Sequence, residues 1–348
     1  MYCPLVDILK FVLAIFIFLH HAEINLLTNQ GISSHSFGTS YLAVEGFLIV
    51  SGFFLARSVE RIQDKSIGFT EFFYHRLSKI YPPFLIVLIL NLIFDIFIRV
   101  CFEDRIFSFF DYIPSSLFLG SVFILNQVVG FWYMPVFFWG GAFLAWLLYY
   151  NNRISTNIII PSFALLGYSW IYHQFGGLPL HSEPYIGAFM VGGLLRGVSG
   201  LALGIVLYYL NKNIGVLIKN INTLWISIFV ALSLIMVIKL FLRDGPTNKD
   251  FHVLFYLTVI VLFVMNFSSD RLLKYKSFLN YLGRLSYYIF LVHILVFNIF
   301  IKFNLISDIP AGARVWITLL MTILLSLVMI KYEAMSITFI KRIVLRRC

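Results

Sequence analysis

Residues Leu5–Ile24, which read LVDILKFVLAIFIFLHHAEI, decide the fold class of this chain. An apolar segment of about 20 residues is long enough to cross a lipid bilayer as an α-helix. It also contains five ionisable residues, Asp7, Lys10, His20, His21 and Glu23. Ionisable groups are costly in hydrocarbon, so each of them is a candidate functional residue.

The spacing of Lys10 and His21 places both on one face of this helix. They are eleven residues apart, which is close to three helical turns and about 16 Å along the axis. His20 points about 100° away from His21, so only His21 shares the face of Lys10. An alternative without catalysis has Lys10 reaching the headgroups and both histidines at the far interface.

The composition is that of a polytopic membrane protein. Of 348 residues, 60% are hydrophobic and only 12% are charged, whereas soluble domains carry about 25% charged residues. The net charge of +10 is typical of basic cytoplasmic loops, and we expect no nucleic-acid partner. The three cysteines are scattered and indicate neither a metal site nor a disulfide framework.

The apolar stretches and the basic residues between them predict ten transmembrane helices with both termini in the cytoplasm. The stretches are 5–24, 38–57, 80–100, 113–129, 131–150, 157–172, 189–210, 221–241, 251–267, 278–301 and 313–332. If 113–129 lies at the outer interface or re-enters the membrane instead of crossing it, the Lys/Arg-rich connections all face the cytoplasm, as positive-inside bias requires. We therefore expect an all-α protein with one membrane domain over 1–348, no soluble appendage and no cleavable leader.

Three ionisable groups on different predicted spans lie at similar depth. From the inner ends of their helices, Glu45, His293 and His21 lie about 18, 20 and 22 Å into the membrane. They could therefore converge. For Glu45 and His293 the alternative is a hydrogen bond to a neighbouring helix, and Ser51-Gly52 in the same span as Glu45 also fits a helix-packing notch.

Basic residues are expected below these groups at the cytoplasmic face. Arg76 and Lys79 are three residues apart and so share a helix face. With Lys10 they form a rim that suits phosphate groups, although a positive-inside anchor is the simpler interpretation. An elongated anionic donor such as acyl-coenzyme A would place its phosphates on this rim and its reactive end near the histidine.

Five segments in this order resemble the acyltransferase family 3 membrane proteins, which O-acylate carbohydrates and other cell-surface molecules. The segments are Lys10 to His21, Val44–Phe53, Arg76–Pro82, Arg196–Leu207 and Leu282–His293. The chain departs from the family pattern at Lys79, where arginine is usual, and after Trp132, where the run FWYMPVFFWGG lacks a carboxylate.

The resemblance implies a membrane O-acyltransferase of the bacterial cytoplasmic membrane. The donor would be cytoplasmic acetyl-coenzyme A, and the acceptor a hydroxyl of a surface carbohydrate or lipid-linked sugar; no metal is implied. His21 would act as general base or carry the acyl group, and Glu45 would orient it. Lys10, Arg76 and Lys79 would hold the donor phosphates. Further candidates are Ser51, Tyr81, Trp132 and His293.

A multi-pass transporter or flippase for glycan intermediates is the alternative function. Many spans with buried histidine and carboxyl groups also suit a proton-coupled carrier. Against it, the sequence shows no inverted repeat and no pair of interrupted helices.

Overall fold

The computed structural model describes residues 3–28, 31–32, 36–102, 109–119, 133–178, 185–186, 189–220, 223–243, 245, 247–267 and 270–345. The helices are α1 (Pro4–Ala22), α2 (Ala43–Asp64), α3 (Phe69–Phe102), α4 (Phe109–Ser116), α5 (Tyr133–Pro135), α6 (Gly141–Tyr150), α7 (Asn152–Ile154), α8 (Ile160–Phe175), α9 (Val191–Asn220), α10 (Thr223–Phe241), α11 (His252–Asn266), α12 (Asp270–Leu273), α13 (Lys276–Lys302) and α14 (Ala311–Leu345).

Shorter elements connect or extend these helices. The π-helical turns are Glu23–Leu27, Val136–Gly140 and Ser155–Ile159, and the 3₁₀ turns are Ser40–Leu42 and Asn248–Phe251. The strands β1 (Tyr185–Ile186) and β2 (Phe189–Met190) pair antiparallel, with Tyr185 opposite Met190. This two-residue ladder apart, the described chain is helical or irregular.

Nine helical segments in the described part of the chain are long and apolar enough to cross a membrane. They are Pro4–Leu27, Ser40–Asp64, Phe69–Phe102, Asn152–Phe175, Gly192–Gly215, Leu224–Phe241, Asn248–Asn266, Lys276–Lys302 and Ala311–Glu333. The prediction of an all-α polytopic membrane protein is therefore confirmed. The orientation of the termini stays a prediction.

Two predicted segments differ from these nine spans. The stretch 131–150 is built, from Tyr133 onward, of α5, a π-helical turn and α6, and it does not appear among the nine. In the stretch 113–129, α4 ends at Ser116, and the part from residue 120 lies outside the described residues. Its place at the outer interface stays a prediction.

The segment that carries Arg76 and Lys79 and the third predicted apolar stretch, 80–100, form one helix. The 34 residues of α3 continue through Pro82 and Pro83 and measure about 51 Å. That exceeds the hydrocarbon thickness of about 30 Å, so a helix of this length extends beyond the hydrocarbon or crosses it at a tilt.

The core brings α2 against α9 and α1 against α13. A Cβ at Gly52 of α2 would lie 2.0 Å from the carbonyl oxygen of Leu201, and one at Gly204 of α9 would lie 2.1 Å from that of Ile49. The two backbones can approach this closely because both positions lack a side chain. A Cβ at Gly283 of α13 would likewise lie 2.3 Å from Asp7 Oδ1 of α1, so α1 and α13 are also in close contact.

Candidate active site

The packing of α1 on α13 brings two predicted site residues together. The rings of His21 and His293 have centroids 5.1 Å apart and an interplanar angle of 38°. His293 is 1% exposed, whereas His21 is half-buried. The two residues are 272 positions apart in the chain, so this contact is made by tertiary structure alone.

The hydrogen bond of His293 determines which of its ring nitrogens can accept a proton. Its Nδ1 lies 3.0 Å from the carbonyl oxygen of Ile289. Because a carbonyl only accepts, Nδ1 carries the proton and donates it. In the neutral ring Nε2 is then the acceptor, and this buried atom has no hydrogen-bond partner among the described residues. His293 is therefore set up as a proton acceptor or a hydrogen-bond acceptor.

His20 faces a different neighbourhood from His21, as helical phase predicts. It is 1% exposed, its Nδ1 lies 3.3 Å from the carbonyl oxygen of Phe37, and its ring lies 5.3 Å from that of Tyr41. The rings of His20 and His21 are themselves 5.1 Å apart. The aromatic contacts thus run from His293 through His21 and His20 to Tyr41.

Glu45 is held by Arg196 and Tyr168. Its Oε1 accepts from Nε of Arg196 at 2.5 Å, and its Oε2 accepts a short hydrogen bond from the Tyr168 hydroxyl. The carboxylate is 0% exposed and the guanidinium 1% exposed. The structure therefore brings Glu45 to α8 and α9, and these bonds do not include His21.

Tyr41 connects this ion pair to the histidines and to a loop. The Arg196 guanidinium lies 5.4 Å from the centre of the Tyr41 ring, within cation–π range. The Tyr41 hydroxyl donates to the carbonyl oxygen of Leu178 at 2.6 Å and lies 3.4 Å from Oδ2 of Asp250. Asp250 in turn is paired with Arg243. Buried polar groups therefore link α1, α2, α9 and the loops after α8 and α10.

A cavity of about 290 Å³ lies beside the histidines. Its lining combines two lysines with mostly apolar and aromatic side chains: Lys10, Val44, Phe47, Ser51, Lys79, Ile80, Tyr133, Met134, Phe137, Gly283, Ser286, Tyr287 and Phe290. The predicted basic residues Lys10 and Lys79 thus share one cavity. Ser51 also lines it, and its side chain hydrogen-bonds that of Tyr133.

Phe290 stands between this cavity and the histidines. Its ring lines the cavity, packs edge-on against Tyr133 at 5.4 Å and lies 6.1 Å from the ring of His293. Neither His21 nor His293 lines the cavity. The ring of Phe290 therefore separates the cavity that Lys10 and Lys79 line from the pair His21 and His293.

Comparison with known families decides the kind of protein that carries this arrangement. A family model described as an acyltransferase domain matches residues 5–331. The chain belongs to acyltransferase family 3. No curated protein and no solved structure shows a significant match to it. The match supports the acyltransferase interpretation of the motifs over the transporter alternative.

In this acyltransferase Arg76 lies behind the cavity wall. Its guanidinium lies 4.7 Å from the centre of the Phe137 ring, and its Nη2 is 3.4 Å from the Phe137 carbonyl oxygen. Nε of Arg76 is buried without a hydrogen-bond partner among the described residues. Phe137 lines the cavity, whereas Arg76 does not. Lys10 and Lys79 therefore line the cavity together, whereas Arg76 lies behind residues of its wall.

Of the other two candidates of the acyltransferase, Tyr81 does not line the cavity. Tyr81 packs its ring 5.6 Å from that of Phe118, and Trp132 lies outside the described residues. Metal ligation has no support in the described part of the chain, where no group of three His, Cys, Asp or Glu residues could hold an ion.

Sequence reasoning missed the partners of Glu45. Arg196 entered only as part of a family-like segment, although an arginine within an apolar span requires a partner. That rule marks Arg196 as needing a counter-ion. Lys239 and Arg284 also lie in predicted spans, so the rule does not select the partner of Glu45. Nothing in the local sequence marks Tyr41, Tyr168 or Asp250.

Proposed function

We propose that this acyltransferase moves an acetyl group from cytoplasmic acetyl-coenzyme A to a hydroxyl of a surface or lipid-linked carbohydrate in a bacterial cytoplasmic membrane. The observation that carries the proposal is the cavity lined by Lys10 and Lys79. It ends at Phe290, whose ring lies 6.1 Å from His293, which contacts His21.

The lysines of the cavity suit the phosphates of the donor. The Lys10 Nζ lies 3.6 Å from Asp7 Oδ1 and its side chain is 32% exposed, so an incoming phosphate can reach it. Lys79 is exposed on the same cavity. Charge-assisted hydrogen bonds to phosphate are shorter and stronger than neutral ones. The apolar lining between the lysines and Phe290 would accommodate the acyl-thioester arm.

His21 is the proposed catalytic base. It takes the proton of the acceptor hydroxyl as the oxygen attacks the thioester carbonyl carbon. The new C–O bond forms, the C–S bond breaks, and the departing coenzyme A thiolate takes the proton from the His21 imidazolium. Should His21 carry the acyl group instead, its ring nitrogen attacks the thioester carbonyl carbon, the C–S bond breaks and the coenzyme A thiolate leaves. The acceptor oxygen then attacks the acyl carbon, the C–N bond breaks, and the acceptor's proton passes through the released imidazole to the thiolate.

His293 is the proposed positioning residue for His21. Because its Nδ1 donates to Ile289, its Nε2 can accept an N–H from His21. This would orient the His21 ring so that its other nitrogen receives the acceptor's proton, as the third residue of a catalytic triad does. Glu45 acts farther away in this scheme, by fixing Arg196 against the ring of Tyr41, which in turn contacts His20.

The proposed function is tested with purified full-length protein in lipid nanodiscs given acetyl-coenzyme A, by following release of free coenzyme A thiol. Acylated glycan is measured by mass spectrometry in cells that lack the native gene and express each variant. The matched variants are His21→Gln and His20→Gln. In His20→Gln, the glutamine amide can still donate to the Phe37 carbonyl oxygen that His20 contacts.

His21→Gln should lower acyl transfer by about 10²- to 10⁴-fold, the usual cost of losing a general base. His20→Gln should retain most activity at equal protein level. Equal loss in both variants would show that the face shared with Lys10 does not identify the base. Full activity in His21→Gln would remove the catalytic assignment.

A further inference from the structure

A second and larger recess lies outside the site described above. It measures about 660 Å³ and lies between α8, α9 and α11. Its lining is mainly apolar and aromatic, with a few hydroxyls: Pro161, Ala164, Leu165, Tyr168, Ser169, Tyr172, Leu203, Val206, Phe251, Leu254, Phe255 and Thr258. Volume and lining are those of a small-molecule site.

The recess opens from three membrane-spanning segments towards the bilayer. Its helices belong to the spans Asn152–Phe175, Gly192–Gly215 and Asn248–Asn266. At the rim, Leu165 is 70% and Phe255 57% exposed, while on the floor Tyr168 is 7% exposed. Groups exposed along such helices face hydrocarbon, so the recess opens onto the lipid chains of the bilayer.

The length of the recess matches one leaflet. Along α8 its lining runs from Pro161 to Tyr172, which is about 16 Å of helix. Half of a hydrocarbon core of about 30 Å is about 15 Å, the depth that the chains of one leaflet fill. The Tyr172 end lies near the end of α8 and the start of α11, where the polar part of an amphiphile would meet the interface.

We propose that this recess, hereafter the lateral groove, binds one acyl chain of a bilayer phospholipid. Neighbouring lipid tails are as apolar as the groove, so the preference for a bound chain over bulk lipid comes from van der Waals packing. The floor makes many such contacts available because Ala164 is small and the Tyr168 ring is buried.

The bound chain supports the buried ion pair. Tyr168 forms the groove floor and its hydroxyl donates to Glu45, which pairs with Arg196. An acyl chain packed over the Tyr168 ring restricts the motion of that ring and so favours the hydrogen bond from its hydroxyl to Glu45. Phospholipid binding therefore stabilises the Glu45–Arg196 pair without touching either residue.

The test uses full-length protein in vesicles of phosphatidylglycerol and phosphatidylethanolamine, with a trace of phosphatidylglycerol carrying a diazirine midway along one acyl chain. After irradiation, the cross-linked residues are located by mass spectrometry. We expect them on α8, α9 and α11 within the groove. A second arm adds an unlabelled polyisoprenyl phosphate as competitor, which we expect to leave the labelling unchanged.

Adjacent leucines provide matched variants. Leu165 lines the groove and Leu166 does not, although they are 70% and 65% exposed. Leu165→Trp should fill the groove and lower its labelling about tenfold, which corresponds to about 1.4 kcal/mol, while Leu166→Trp should label like the native protein. Thr258→Trp, from the opposite wall, should repeat the loss if Leu165→Trp proves poorly folded.

Three results would overturn the proposal. Labelling spread evenly around the membrane-facing surface, or equal in Leu165→Trp and Leu166→Trp, would mean only ordinary annular lipid. Displacement of the probe by polyisoprenyl phosphate would make an isoprenoid the occupant. None of these outcomes depends on acyl transfer, so failure here leaves the proposed function standing.

Discussion

Removing the charge of Glu45 should destabilise the protein strongly, because it leaves a buried guanidinium without its counter-ion. Glu45 Oε1 and Arg196 Nε are 2.5 Å apart and the two side chains are 0% and 1% exposed. With an effective dielectric constant of about 20, unit charges at this distance attract by about 7 kcal/mol. Much of this attraction offsets the free-energy cost of removing the two charges from water. Breaking such a buried pair by removing one partner typically costs about 3–5 kcal/mol of stability.

The chain provides a matched control on its surface. Glu60 pairs with Lys212, also at 2.5 Å, with the side chains 27% and 50% exposed. Glu60 accepts a short hydrogen bond from Tyr208, just as Glu45 does from Tyr168. Since solvent screens an exposed pair, Glu60→Gln should cost only about 0–1 kcal/mol. Burial is thus the main difference between the two sites.

The assay is the thermal unfolding midpoint of purified Glu45→Gln and Glu60→Gln in one detergent, read by tryptophan fluorescence and by size-exclusion recovery. Glu45→Gln should unfold about 10 °C below the native protein and Glu60→Gln within about 3 °C of it. The double variant Glu45→Gln/Arg196→Met should recover much of the loss, since it removes both charges. Equal shifts for the two single variants, or no recovery in the double variant, would refute this account of the buried pair.

Three further outcomes follow from the described contacts. Arg76→Ala should raise the KM for the acyl donor about tenfold through loss of the cation beneath Phe137, and an unchanged KM in folded protein would remove Arg76 from donor binding. Gly52→Ala should cost about 1–3 kcal/mol or more of stability, because its Cβ would lie 2.0 Å from a carbonyl oxygen of α9. The control Gly312→Ala should be neutral, since its Cβ would have no atom within 4 Å. Similar unfolding midpoints for the two variants would contradict the close contact of α2 and α9. A C-terminal reporter active only outside the cytoplasm should stay silent, since positive-inside bias places the basic tail inside. Strong activity would contradict the ten-span count and restore 113–129 as a membrane crossing.

The sequence was sufficient to predict the fold class and the directions in which side chains leave a single helix. Composition indicated a helical membrane protein, and the helical period placed Lys10 and His21 on one face and His20 on another. The structure has Lys10 on the cavity, His21 against His293 and His20 against Tyr41. Periodicity determines such directions because each residue turns the helix by a fixed angle.

Which helices become neighbours could not be predicted in this way. Glu45 and Arg196 are 151 residues apart, and no local pattern states which of several helices will carry a counter-ion. Depth estimates placed Glu45 level with His21, yet its carboxylate turns to Arg196 and Tyr168. Equal height is necessary for contact, but the rotation of α2 about its axis is set by the fit of Gly52 against Leu201.

The contact between α2 and α9 has a consequence for motion. The backbones of α2 and α9 are in direct contact at Gly52 and Gly204, and a buried ion pair joins the same two helices. These contacts prevent α2 from sliding along α9. Packed elements of this kind shift as rigid bodies, and hinges fall where packing is looser. Any opening that admits a substrate must therefore move α2 and α9 together, while helices that pack less tightly shift around them. Rotation of the Phe290 side chain on α13 would then join the cavity to the histidines.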